Sequence, residues 1–431
     1  MLCRLSGTGW ARCASVLACV GALVMRLHAS VLVVDASGAG DFTEFLPALG
    51  AAADGDVLLL RPGSYYGLQV LPPVGKSLTI VGDSSGPRPL LADLTFQALP
   101  AGSTLVIRGL DLKAVVFRGL DLFGCAGAVV VEDCSIEGAT GWGSSPVSPP
   151  GWAGARLFDC ASVTFMRCTL TGGRGTDEVL AGPLPYGPGD GGSAADVRSS
   201  HVAFHDCTLS GGAGGKGSFS TGANGGEGLS LSQSSALLSG SAAHGGAGGT
   251  ECSDGELPAW CNGGPGILLD AGSTLQVLEG SWVGGVAGLG AGGQPGLPGQ
   301  PFIGPVGQPT VFVGTARTLE ISSPVGEQQP AALELSGLTG DLVLLFLSFD
   351  SASLPLPGKK GWLALAPPLL GPLLLGPIVD PSGVLSIGFT APDLVPATLE
   401  GQTWLLQGAF VDGGGVTIGA PTSFTLVDGA F

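Results

Sequence analysis

Charge is scarce in this chain. Asp, Glu, Lys and Arg together make up 12 % of 431 residues, and lysine occurs five times. Amphipathic helices need charged faces, so this scarcity, together with 77 glycines, argues against a helical protein and for tightly turned β structure. Basic charge is the scarcer kind: 17 Lys and Arg stand against 34 Asp and Glu, a net charge of −17. A phosphate-binding face needs a basic surface, so nucleic acid is excluded as a partner. There is no CxxC pair with a partnered histidine, hence no zinc site. The glycine clusters GGAGG and GANGGEG have no Lys-Ser/Thr after them and no strand–helix context, so they are not phosphate loops. The calcium-binding nonapeptide repeat is absent too. No cofactor or metal is implied, although the acidity leaves calcium open. Leu363–Val379 is rich in leucine but is broken by Pro367, Pro368, Pro372 and Pro377, which disfavours a transmembrane helix.

What the chain has is a repeat. VVVEDCSIEG (Val129–Gly138) recurs as VTFMRCTLTG (Val163–Gly172) and VAFHDCTLSG (Val202–Gly211). The first and third positions are apolar, which predicts a short strand with one face inward. After the cysteine an apolar residue follows (Ile136, Leu170, Leu209), then glycine, predicting a second short strand. Weaker copies put first slots at Leu78, Leu105, Ala236, Leu275 and Leu319. The steps between slots vary from 24 to 44 residues. A fixed strand unit with a variable remainder is a solenoid whose coils carry insertions. The expected fold is all-β: a right-handed parallel β-helix with each strand pairing to its copy about 4.8 Å away. The excess length always follows the repeat, as in GRGTDEVLAGPLPYGPGDGGS and GAGGTECSDGELPAWCNGGPG. These segments read first as tolerated, mobile insertions and second as a ridge along one edge that contacts a ligand. The run GQPGLPG reads as an extended polyproline II loop, too short for a triple helix.

The start of the chain looks like a secretory signal. Arg4 and Arg12 supply the positive region, Ala14–Met25 is apolar, and Ala29 and Ser30 are small. The expected location is therefore secreted or cell-surface, which makes disulfides plausible. Cys252 and Cys261 bracket one loop and are the expected pair. Cys125 with Cys160, and Cys134 with Cys168, occupy equivalent places in consecutive coils, where inter-coil bonds would be within reach. The alternative is an inward stack of free thiols at Cys134, Cys168 and Cys207, acting as small apolar residues.

Residues 31–70 begin with a strand and contain GDF (Gly40, Asp41, Phe42), a helical-period segment with Ala48, Ala51 and Ala52, DGD with Gly55 and Asp56, and RPGSYY with Pro62, Gly63 and Tyr65. This stretch resembles the N-terminal cap of pectinesterases and other members of the pectin-lyase-like β-helix superfamily. The resemblance implies a capping helix over the first coil; the matching residues are structural in that family and none is catalytic. The strand that carries the pectinesterase nucleophile, of the type GxVDFIFG, has no counterpart: Leu120–Gly127 keeps Asp121 and loses the flanks. The acid trio of polygalacturonase-like enzymes and the base-plus-calcium arrangement of lyase-like members are not recognisable either.

The best catalytic constellation left is His205 and Asp206, with Arg167, Asp133 and Glu132 in equivalent slots of neighbouring coils. Alternation turns His205 outward, so these five form a polar stripe able in principle to hold an acid/base pair. Trp142, Trp152, Tyr186 and Trp260 lie in the insertions and are the aromatic candidates for stacking on sugar rings. After about residue 329 the sequence reads as strands divided by Pro, Gly and Asp, a small β-sandwich. Its pattern of Asp380, Gly383, Pro392, Leu394, Gly401 and Gln407 is similar to a terminal β-domain of secreted proteins of environmental bacteria. The expected division is 1–29 signal, 30–328 β-helix and 329–431 sandwich. The expected function is non-catalytic binding of a polysaccharide or another cell-surface component through the loop edge. A polysaccharide lyase or glycoside hydrolase is the alternative, and a structural spacer the third. The oligomeric state is left open.

Overall fold

A computed structural model describes residues 29–66, 69–70, 75–141, 149–178, 187–217, 223–250, 261–289, 295–391 and 401–428. The fold is nearly all β: a parallel β-helix followed by a second β-domain. Three parallel sheets form the solenoid. Sheet I has ten strands, from Val31–Val34 to Thr310–Phe312. Sheet II has eight, from Ser64–Tyr65 to Ser281–Val283, and sheet III eight, from Gln69–Val70 to Phe302–Ile303. One coil runs from sheet III (Leu120–Phe123) to sheet I (Ala128–Glu132) to sheet II (Ser135–Glu137), then through an insertion to the next sheet III strand, Ala155–Phe158.

The repeat sets the register. Val129 lies opposite Val163 and Val131 opposite Phe165; Val163 in turn lies opposite Val202, and Phe165 opposite Phe204. These side chains point inward and form one continuous core with the inward residues of the other two sheets. The slot expected at Leu319 departs from the scheme. Thr318–Ile321 pairs antiparallel with Pro330–Ser336 in the second domain, and the last solenoid strand is Thr310–Phe312. The alternation is present, and a period of two cannot distinguish parallel from antiparallel neighbours.

The cap forms as the resemblance implies. Helix Phe45–Ala51 buries Phe45, Ala48 and Leu49 over the first coil. Asp41 accepts the Val33 amide at 2.9 Å, Asp56 accepts those of Ser30 at 2.8 Å and Ala53 at 2.6 Å, and the Tyr65 hydroxyl donates to the Val34 carbonyl at 2.8 Å. The short helix has no basic residue in its last turn, and Lys76 supplies one from the next coil by donating to the carbonyls of Leu49 and Ala52.

Of the two alternatives for the stacked cysteines, inter-coil bonds or free thiols, the structure has free thiols. Cys125, Cys160, Cys134 and Cys168 are buried free thiols, as is Cys207. Parallel stacking repeats the same side-chain direction in every coil, so neighbouring sulfurs inherit the spacing of about 4.8 Å between strands rather than the 2.05 Å of a bond. The thiols instead enter hydrogen-bonded ladders. Cys207 Sγ accepts from the Cys168 amide at 3.4 Å, and Ser241 Oγ continues the same column by accepting from Cys207 at 3.0 Å. Cys160, Ser200, Ser234 and Ser273 form a second column in the same way. Cys252 lies outside the described residues, and so does the signal-like segment 1–28.

The described ends of the glycine-rich insertions are hydrogen-bonded to one another. Outgoing segments leave sheet II and returning segments enter sheet III, and the two sets stack as two layers. Within the outgoing layer Gly172, Gly175 and Glu178 donate to the carbonyls of Ser210, Ala213 and Lys216, a period of three. Between layers a zigzag runs from Gly173 to Trp152, Gly192 to Gly173, Gly212 to Gly192, Gly226 to Gly212 and Gly246 to Gly226, each at 2.7–2.8 Å. Three residues per turn is the repeat of polyproline II. Two positions in three face neighbouring segments, and most of them are glycine: a Cβ on Gly192 would overlap the Trp152 carbonyl oxygen, and one on Gly246 the Gly212 carbonyl oxygen. At the third position Asp and Asn side chains accept the outward amides. Asn224 donates to Asp190 at 2.6 Å, Asn262 to Asn224 at 3.2 Å and Leu297 to Asn262 at 2.7 Å. The described parts of the insertions are therefore a hydrogen-bonded slab that extends the solenoid sideways. For these parts this corrects the reading as mobile loops; residues 142–148, 179–186, 218–222, 251–260 and 290–294 lie outside the described residues.

The second domain packs a three-stranded sheet, Thr318–Ile321, Pro330–Ser336 and Val384–Thr390, on a five-stranded sheet whose long strands are Thr403–Asp412 and Gly415–Val427. Leu333, Leu335, Val343, Leu345, Phe410 and Phe424 fill the space between them.

Candidate functional site

The stripe predicted from the repeat forms, but it is covered by the second domain. Glu132 is fully buried. It receives Arg108 at 3.3 Å and also Arg167 from the two flanking coils. Across the domain boundary Thr422 Oγ1 donates to it at 2.6 Å and the Ser423 amide at 2.9 Å. Arg108 reaches Asp133 at 3.0 Å and donates to the Ile321 carbonyl at 2.6 Å. Arg167 pairs with Asp133 at 2.8 Å and donates to the Leu319 carbonyl at 3.3 Å. Beside this network, Val106, Val130 and Met166 pack on Leu365 and Leu405, while Ala203 and Leu237 pack on Trp362. The outer face of sheet I is a docking face.

His205 and Asp206 belong to the same face. His205 is 1 % exposed, and neither ring nitrogen has a hydrogen-bond partner. Burial pushes its pKa down to about 4, so the ring is neutral at pH 7. Burial also pushes Asp206 up to about 6; Arg167 opposes the rise, and Glu279 and Glu320 add to it. A histidine sealed from solvent under a second domain has no route to a substrate. Of the five residues singled out for acid/base chemistry, Glu132 and Arg167 bond directly to the second domain, and Asp133 holds Arg108 and Arg167 in place.

Of the aromatic candidates, Trp142, Tyr186 and Trp260 lie outside the described residues. Trp152 is half-buried, with the Arg118 guanidinium 4.6 Å above its ring and Phe117 edge-on at 5.2 Å. It stands at the entry to sheet III, and this points to the face that the second domain leaves open.

On that face two columns of outward side chains run along the solenoid. The register aligns Asp121, Arg156 and Asp196 in one, and Phe123, Phe158 and Arg198 in the other. The Phe123 and Phe158 rings are stacked, 5.0 Å apart and 5° from parallel, and are 47 % and 38 % exposed. Arg156 clasps Asp121 through Nε at 2.8 Å and Nη2 at 2.6 Å, and Arg118 approaches the same carboxylate at 3.6 Å. Arg198 clasps Asp196 through two bonds of 3.0 Å and leaves over half of its side chain in solvent. Burial lowers the pKa of Arg118, and neighbouring Arg156 lowers it further. Strand Leu120–Phe123 spans about 10 Å at 3.3 Å per residue, and Phe117 and Arg118 lie just before it. The face thus offers apolar ring surfaces at both sides and guanidinium groups between them. Both carboxylates are held by arginines, so neither is a free general base.

The sequence missed Phe117, Arg118, Arg156, Phe123, Phe158 and Arg198. A signal was present. Phe123 and Phe158 each follow an inward leucine, at Leu122 and Leu157, in the outward slot of an alternating strand.

Among the described residues no group of three or more His, Cys, Asp or Glu side chains is placed to hold a metal ion. Among them, too, no helix is long and apolar enough to cross a membrane. Neither a family model nor a curated protein matches the chain. A solved structure of a rhamnogalacturonan lyase aligns over 60 % of this chain and 70 % of that one, with 12 % identity and a TM-score of 0.28. That overlap is too loose to carry an argument about activity.

Proposed function

We propose that this is an exported, non-catalytic carbohydrate-binding β-helix protein whose ligand lies across the open face of sheet III. The observation that carries the reading is the exposed, stacked Phe123–Phe158 pair beside the arginine-lined column. Flat apolar rings suit the faces of sugar rings, and guanidinium forks suit carboxylates. The ligand class is therefore an acidic polysaccharide, one bearing uronate groups. The net charge of −17 opposes such a ligand at long range, but screening limits that opposition to about 8 Å at physiological salt. Within that distance the ligand meets Arg118, Arg156 and Arg198. The glycine-rich slab, first read as the binding edge, is in this view the rigid flank of the face.

A lyase or hydrolase reading draws on the carboxylate–guanidinium cluster itself, since a basic group beside carboxylates is what elimination or hydrolysis needs. The bidentate clasp on Asp121 and that on Asp196 favour binding. The test is retention of the full chain on immobilised polygalacturonate and on neutral polysaccharides, with released unsaturated products and new reducing ends measured in the same tubes. Retention on the acidic polymer without cleavage, equal with and without calcium, is the expected result. Cleavage would move the assignment to the enzyme reading, and retention on no acidic polymer would sink it.

A further inference from the structure

The two ends of the solenoid differ. The first coil is closed by helix Phe45–Ala51. At the other end Ser281–Val283, Phe302–Ile303 and Thr310–Phe312 are the outermost strands of sheets II, III and I. Val311 occupies the inward column, opposite Val277. Val277 is 1 % exposed and Val311 58 %, so the core column runs out into solvent. Val283, Val286, Leu289, Leu297 and Val313 are exposed around it. Solenoid ends require a cover because each coil buries its apolar face on a neighbour. An apolar surface of this kind marks an interaction site. The second domain docks on the side of sheet I and does not supply that cover for these residues. From Ser281 to Ala316 there is no Asp, Glu, Lys, Arg or His, in a chain of net charge −17.

We propose that this end is a homotypic interface, in which a second copy of the chain seats its own last coil, tail to tail, about a two-fold axis. Three features select a second copy. An apolar face whose own coil carries no charge is complementary to itself, whereas a charged partner surface would bury its charges without counter-ions. Two chains of net charge −17 can approach closely only where that charge is absent, and this is the stretch that lacks it. Finally, the helix on the first coil blocks head-to-tail stacking, so the contact closes as a two-fold dimer and does not propagate into a filament. A two-fold axis also sets the outermost strands antiparallel to their copies, a pairing their free edges accept.

The experiment is the mass of the full chain by light scattering and sedimentation over a concentration series, for wild type, Val311→Lys and Val286→Asp. Both substitutions are at exposed positions, so a single chain loses little packing; an unchanged far-ultraviolet circular dichroism spectrum and a cooperative melt confirm its fold. Val306→Lys, at another fully exposed site of the same end, serves if either variant fails to fold. The wild type is expected at about twice the mass of one chain, with each variant shifted to monomer. A wild type that stays monomeric throughout overturns the proposal, including one that captures some other protein. So does a dimer that survives all the substitutions.

Discussion

Sheet I and sheet III are built by the same coils, and their outer faces have opposite fates. Sheet I presents Glu132, Arg108 and Arg167 among Val106, Val130 and Met166, and all of it lies under the second domain. Sheet III presents Asp121, Arg156 and Arg198 beside Phe123 and Phe158, and it is open. Both faces carry guanidinium–carboxylate pairs. What separates them is the company the charges keep. On sheet I the Glu132 carboxylate is satisfied across a domain boundary, and aliphatic side chains stand among the charges. On sheet III the pairs are satisfied within the sheet, and the aromatic surface is left without cover. A buried ion network fixes how two parts meet, whereas an exposed one is free to exchange partners with a ligand.

The largest effect that breaks this contrast is expected at Glu132. Glu132→Ala leaves Arg108 and Arg167 buried without their shared counter-charge and strips Thr422 and Ser423 of their acceptor. Removing one partner of a buried pair costs about 3–5 kcal/mol. The domains should separate before the solenoid melts, seen as a new low-temperature transition in calorimetry. A single transition shifted by less than about 1 kcal/mol would show that the network does not hold the docking.

A smaller effect with a defined pH dependence belongs to the pair once read as catalytic. His205 is held at about 4, below its ordinary 6.5. As pH falls from 6.5 to 4 the unfolded chain takes up the proton first, so acid removes stability. Asp206 is raised from 3.8 to about 6. Between those values the folded chain holds the extra proton, so stability is lost as pH rises through the window. The two slopes oppose one another. Asp206→Asn removes the second. The variant should exceed wild type at pH 8 by on the order of 1–3 kcal/mol, match it below pH 4, and fall more steeply between pH 6.5 and 4. Denaturant unfolding at several pH values reads this directly; a gap of equal size at pH 8 and below pH 4 would contradict it.

Much of the scaffold is legible in the sequence. The cap residues Asp41, Asp56 and Tyr65 are structural, as the resemblance implies, and the repeat gives the register of sheets I and II. The covered face was legible too, had the second side of the strands been weighed. TLVIR and AVVVE are apolar at every position but the ends, the mark of a strand buried on both faces. The His205–Asp206 stripe misled because alternation reveals that a side chain points outward and not what lies beyond it. The slab was hidden for another reason. Its glycines answer contacts between distant insertions, and a period of three within each short segment resembles ordinary loop composition until the layers are stacked. The sheet III site needs the register between coils, since Phe123 and Phe158 are 35 residues apart and meet only when Leu120 is set opposite Ala155.

The smallest expected change in stability, and the sharpest test of the contrast, lies on the open face. Phe123→Ala with Phe158→Ala removes two exposed rings whose main contact is each other. Because those rings are half in solvent, the cost in folding is about 0.5 kcal/mol per site or less, far below that at Glu132. Binding should respond in the opposite order. Stacking surfaces are worth about 0.5–1.5 kcal/mol beyond their buried area, so loss of both should weaken polygalacturonate retention at least tenfold. Arg156→Lys keeps the charge but gives up the fork on Asp121. It should weaken retention less than the double alanine variant and make the remainder more sensitive to salt. Glu132→Gln, a change on the covered face, should leave retention untouched at temperatures where the protein stays folded. If the covered-face variant lost the polymer and the open-face variants kept it, the roles of the two faces would have to be exchanged.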